Sequence, residues 1–181
     1  NRSGERILFN DTFGYIRNIY IDFSISDGYG EIDDKISANE SLGLRIAAHF
    51  FFGVKLRDIF HYLSENERNL FTLEKVCSLI SERYVKPTNK KLLLSIQLDE
   101  FSHVPRSTLQ EMISVLGDYI ISKHDLDICI LPFLTGTDTT LGITAVGNSR
   151  LGSFQIQLGP LSNKEEQELF EKEFQGKPEL K

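Results

Sequence analysis

Residues 90–101 read KKLLLSIQLDEF, an apolar run that ends in two adjacent carboxylates, Asp99 and Glu100, followed by an aromatic ring. Pro87 and Asn89 punctuate the chain just upstream, so a strand is expected over 92–98. Such a strand carries two negative charges to its own tip. In nucleotide hydrolases that placement has a chemical purpose: the first carboxylate holds Mg²⁺, directly or through water, and the second orients or deprotonates the attacking water. Strand tips also meet solvent, where acidic residues open many ordinary loops. The neighbouring segments have to decide between the two.

Outward from this run, residues 128–134 (ICILPFL) are continuously apolar, the pattern of a strand buried on both faces of a parallel sheet. Residues 17–25 (RNIYIDFSI) alternate, with Ile19, Ile21 and Phe23 on one face, and 153–158 (SFQIQL) read as a shorter strand. Between them lie helical patterns. Ser37 and Glu40 have the spacing of a capping box ahead of Leu42, Ile46 and Phe50, and Ser107 with Gln110 repeats it ahead of Leu109, Met112, Ile113, Leu116 and Ile120. Stretches 55–63 and 72–84 carry apolar stripes, and a last helix is expected from Ser162, bearing Leu169, Phe170 and Phe174. Strands joined by long helical crossovers imply an α/β fold: a mostly parallel sheet with helices on both faces. With 181 residues, the chain is expected to form a single domain over 1–181, with an irregular opening at 1–16 and a disordered tail at 176–181.

Composition narrows the function classes. Hydrophobic residues at 40% and charged residues at 25% are those of a folded globular chain. The net charge of −6 argues against nonspecific nucleic-acid binding, which needs clustered Lys and Arg, and Lys90–Lys91 is the only adjacent basic pair. No stretch is long and apolar enough to span a bilayer, so no membrane partner is expected. Cys77 and Cys129 read as reduced, small apolar residues. His49, His61, His103 and His124 lack metal-ligand spacing, and neither HExxH nor G-x-S-x-G occurs. Arg45, on an otherwise apolar helix, is expected to snorkel or to form a buried pair.

Ligands of parallel sheets gather beyond the carboxyl ends of the strands. Three segments are expected there: Asp99 and Glu100, the turn Thr135-Gly-Thr-Asp138, and the acidic loop 27–35 (DGYGEIDDK). Thr135 or Thr137 stands where a phosphate-sensing side chain would sit, although TGTDTTLG also reads as a plain loop of turn formers. Arg150, in GNSRLG, is a further candidate for contacting a phosphate.

Taken together, IYIDFSISDGYG, SLGLRIAAHFF, LLLSIQLDEF, ILPFLTGTD and FQIQLGPLSNKEEQELF, spanning about residues 19–170, resemble the P-loop NTPase domain of the Crinkler effectors of oomycetes and fungi. The same domain occurs in the retrotransposon hot spot proteins of trypanosomes. The resemblance implies an ASCE-type NTPase fold, with Mg²⁺ and ATP as cofactors. It makes Asp99 the Walker B metal residue, Glu100 the catalytic carboxylate, and Thr135 or Thr137 the sensor. It also implies a protein secreted by its producer and directed to the nucleus or cytoplasm of a host cell.

Two departures matter. G-x-x-x-x-G-K-[ST] occurs nowhere, the only Gly-Lys dipeptide being Gly176–Lys177, and Ser95 and Gln97 interrupt a strand that is apolar in that family. In P-loop enzymes the backbone N–H groups of the missing loop supply much of the triphosphate affinity. The family's P-loop strand lies between the sensor strand and the last strand. Its loss would leave an open edge, where Pro132 fits because proline cannot donate to a ladder. The expected function is therefore an NTPase-derived domain that works through host or self protein partners, as a homo-oligomer, with hydrolysis impaired. The alternative is an active Mg²⁺-dependent ATPase whose phosphate loop lies outside these residues.

Overall fold

The computed structural model describes residues 13–24, 28–122, 127–137, 139–147 and 149. Three strands, β1 (Phe13–Asp22), β2 (Lys91–Asp99) and β3 (Ile128–Thr135), form a sheet in the order β1-β2-β3, parallel throughout. β1 starts at Phe13, so the irregular opening expected over 1–16 gives way to strand four residues before the expected Arg17. The expected strand at 153–158, the helix from Ser162, the tail at 176–181 and Arg150 lie outside the described residues.

Side chains of a strand alternate between faces. On one face Ile19 and Ile21, then Leu92, Leu94, Ile96 and Leu98, then Ile128 and Ile130, are all buried. Helices α1 (Ala38–Ala47), α4 (Leu73–Ile80), α5 (Arg106–Ser122) and α6 (Thr139–Gly147) share one core with that face, through Leu42, Ile46, Val76, Ile80, Met112, Leu116 and Ala145 among others. Two short helices, α2 (Leu56–Phe60) and α3 (Glu65–Arg68), lie between α1 and α4 in the chain. Leu56 and Phe60 of α2 pack on Leu44, on the outer side of α1. α1 is thus covered on two sides, and every residue from Ser41 to Ala47 is buried, Arg45 included. The other sheet face is open in part: Ile16, Tyr20, Leu131 and Phe133 are all more than 40% exposed. Among the described residues, then, helices cover one face of the sheet, and cover of both faces is not seen there.

Local rules explain most boundaries. The Ser37 capping box forms: the Glu40 N–H donates to Ser37 Oγ at 3.2 Å, and Glu40 Oε2 accepts from the Ser37 N–H at 2.8 Å. Gly43 lets α1 lie on the backbone at Phe71–Thr72, where a methyl group would stand 1.9 Å from the Phe71 carbonyl oxygen. That approach brings Asn39 Oδ1 within 2.9 Å of the Leu73 N–H and satisfies the start of α4. The second expected capping box is corrected: α5 begins at Arg106, so Ser107 lies inside its first turn rather than ahead of it. Leu109 N–H donates to Pro105 O at 2.9 Å, which makes Pro105 the entry residue.

Candidate functional site at the carboxyl rim of the sheet

Parallel register places Asp22, Asp99 and Thr135 side by side at the carboxyl ends of the three strands, with Tyr20, Gln97 and Phe133 one pleat below. Period-two alternation puts all six on the open face. Asp99 Oδ1 accepts from the Thr135 hydroxyl at 2.5 Å, and Asp99 Oδ2 accepts from the Tyr20 hydroxyl. Gln97 Nε2 donates to Thr135 Oγ1 at 3.2 Å, which leaves the Thr135 proton free to point at Asp99. One row of hydrogen bonds therefore crosses all three strands and converges on a single carboxylate.

The electrostatics follow from those donors. Thr135, then Tyr20, then the Glu100 backbone N–H hold the Asp99 carboxyl below its ordinary value, with desolvation opposing them. Tyr20 moves the other way, pushed up to about 12, chiefly by its bond to Asp99, then by desolvation and by the charges of Asp99, Asp22 and Glu100. The two shifts agree: Asp99 is kept ionised and Tyr20 protonated. No basic side chain among the described residues pairs with Asp99.

The backbone fixes the tip. The Phe23 N–H donates to the Asp99 carbonyl at 3.1 Å, and Asp22 Oδ1 accepts from the Ser24 N–H and hydroxyl at 2.8 and 2.6 Å. Glu100 is left-handed, with φ 49° and ψ 41°, a conformation that costs a non-glycine residue about 1 kcal/mol or more. This bend sends Phe101 into the core. There its ring lies where glycine leaves room: an added Cβ on Gly136 or Gly142 would come within 3.0 or 2.9 Å of it. The acidic tip of β2 is thereby clamped to the turn that follows β3.

Of the sequence-derived candidates, Asp99, Glu100 and Thr135 meet at this rim. Thr137 is exposed in the turn two residues beyond Thr135, and it is Thr135 whose hydroxyl contacts Asp99. The acidic loop after β1 requires a correction: Asp33 turns inward. It is buried and receives Arg45 Nη1 at 2.6 Å and Nη2 at 3.0 Å, with the Ser41 hydroxyl at 2.5 Å. The Arg45 guanidinium also lies 5.2 Å from the Phe23 ring centroid, so this arginine takes the buried-pair role. A cleft of about 220 Å³ beside the pair, between Gly30, Glu31 and Leu56, has its one buried cation already committed to Asp33.

Tyr20 and Gln97 are contributors that the sequence reading passed over. Their available signal was a polar residue two positions before each rim carboxylate, in Y-I-D and Q-L-D. Among the described residues, no group of three His, Cys, Asp or Glu side chains is arranged to hold a metal ion. A cation at Asp99 would therefore complete its shell from hydroxyl, water or ligand oxygens. Nor, among the described residues, is any helix long and apolar enough to cross a membrane. No family model, curated protein or solved structure matches the chain. Fold and rim together define an α/β domain whose described strands form a parallel sheet, with Asp99 held by two hydroxyls at its carboxyl rim.

Proposed function

We propose that the chain is an NTPase-derived domain of a Crinkler-like effector, acting inside a host cell through protein partners or copies of itself, with nucleotide hydrolysis impaired. The observation that carries this reading is the place of Asp99. It ends the central strand of a parallel sheet, ionised, between Asp22 and Thr135, where such sheets present groups to a ligand. Carboxylate and hydroxyl oxygens are the hard donors that suit Mg²⁺, so Asp99 would hold the ion beside Thr135, and the ion would neutralise charge at the rim.

The triphosphate fits less well. The sequence holds no G-x-x-x-x-G-K-[ST] cradle for its phosphates. We therefore derive no hydrolytic step from these residues. Self-association is supported by the sheet: among the described residues β1 and β3 each pair on one side only, and open edges template pairing with another chain. Pro132 stands on the β3 edge.

Calorimetric titration with Mg²⁺-ATP, run beside Asp99→Asn, tests the reading. The expected result is no binding tighter than about millimolar, roughly 4 kcal/mol. Micromolar binding, about 8 kcal/mol, lost in Asp99→Asn would instead establish the active-ATPase alternative. Light scattering that shows a strictly monomeric species at all concentrations would remove self-association.

A further inference from the structure

The opposite end of the sheet has the reverse chemistry. α4 runs into a π-helical turn, Ser81–Val85, just before β2 begins, and α1 ends in another, Ala48–Phe52. Ring contacts bring the two turns together at the amino end: Phe50 lies 5.1 Å from Phe51 and 5.2 Å from Tyr84, and Phe51 lies 6.1 Å from Tyr84 and 6.4 Å from Phe52. π-helical turns are rare and recur at functional sites. Phe50 and Phe51 pack against the core, whereas Phe52 is 63% and Tyr84 44% exposed.

Basic residues flank this aromatic cluster in the sequence. Across 82–91 the chain carries Arg83, Lys86, Lys90 and Lys91 against Glu82 alone, and Lys55 follows Phe52 closely; all are exposed. Thr88 Oγ1 donates to Tyr84 O at 3.2 Å and to Val85 O at 2.9 Å, folding the basic loop back onto Tyr84. In a chain of net charge −6 this is a local excess of basic residues flanking Tyr84, with Asp127 already taken up by the Ser81 hydroxyl at 2.5 Å.

We infer that this surface docks an acidic amphipathic helix of a partner protein. The helix would place its apolar side chains on Phe52 and Tyr84 and its carboxylates toward Arg83, Lys86, Lys90 and Lys91. Single-stranded nucleic acid would use the same charge but needs open ring faces for stacking. Here the Tyr84 ring packs edge to face on Phe50 at 79°, so Phe52 is the one ring of the cluster with most of its surface open, and a single ring does not make a stacking platform for successive bases. The inference rests on the protein-contact part of the proposed function and names the partner's chemistry. Its test leaves the carboxyl rim untouched, so the two can fail separately.

The experiment is fluorescence anisotropy on the full chain with three labelled probes. The first is a helix-forming peptide of about sixteen residues, with Leu and Phe at i, i+3, i+4 and i+7 and Glu on the remaining face. The second has Lys in place of Glu, and the third is an oligothymidylate. The acidic peptide is expected to bind at least about tenfold tighter than the basic one. It should weaken about tenfold in Phe52→Ala and in Lys86→Glu, both exposed positions whose circular dichroism should stay as in the parent chain. Absence of acidic-peptide binding, equal binding of both peptides, or retention in both variants overturns the inference. Binding of the oligothymidylate instead of the acidic peptide also overturns it and reassigns the surface to nucleic acid.

Discussion

Asp33 and Asp99 are each met by a hydroxyl, yet they serve opposite ends. Asp33 is buried and closed: a guanidinium grips both oxygens, Ser41 caps one, and the Gly30 N–H reaches the other at 3.1 Å. Asp99 is part-exposed and open: Thr135, Tyr20 and a backbone N–H hold it ionised, with no basic side chain among the described residues to balance it. A carboxylate neutralised inside the fold is structural. One that is kept charged at the rim of a parallel sheet remains available to a cation. Net charge and acidic clustering alone do not tell the two apart.

The largest effect is expected on the closed side. Arg45→Met should cost about 3–5 kcal/mol in chemical denaturation, because it leaves Asp33 charged and buried. Adding Asp33→Asn should restore part of that loss. A cost below about 1 kcal/mol for Arg45→Met would mean that the pair is not what holds the loop to α1.

On the open side the effects are smaller. Glu100→Gly should stabilise the fold by about 1 kcal/mol, since glycine relieves the left-handed backbone at the tip. Net destabilisation would show that the Glu100 side chain makes contacts worth more than that strain. Asp99→Asn should cost about 1 kcal/mol, because its single amide oxygen can accept from only one of the Tyr20 and Thr135 hydroxyls, which donate to different oxygens of Asp99, and its N–H₂ group faces the other.

The same variant has a sharper signature in pH. Tyr20, raised from 10.0 to about 12, contributes stability that is present below pH 10 and lost as pH rises toward 12. Ultraviolet titration should show its ionisation falling back toward 10 in Asp99→Asn, and an unchanged titration would deny the contact. Asp99, lowered from 3.8, contributes stability that is present above that value and lost as pH falls below it.

How much of this was legible beforehand depends on range. The three strands and the Ser37 capping box follow local pattern and spacing. The convergence of Asp99, Glu100 and Thr135 at one rim follows from parallel topology alone. The start of β1 was hidden because Gly14 interrupts the alternation. α6 (TTLGITAVG) was hidden because Thr, Gly, Ile and Val are weak helix formers; burial of Ala145 and Val146 and the Phe101 ring at Gly142 supply what propensity lacks. Tyr20 meets Asp99 across 79 residues of chain and Gln97 meets Thr135 across 38, contacts for which no short motif exists. Asp33 and Arg45 are only twelve apart, but which acid of DGYGEIDDK turns inward is settled by packing.

The most direct test of the open carboxylate is Mn²⁺ titration followed by amide NMR. Selective paramagnetic broadening of Asp22, Asp99, Glu100 and Gly136 is expected, abolished in Asp99→Asn. Broadening that is centred elsewhere, or that survives in Asp99→Asn, would contradict that expectation.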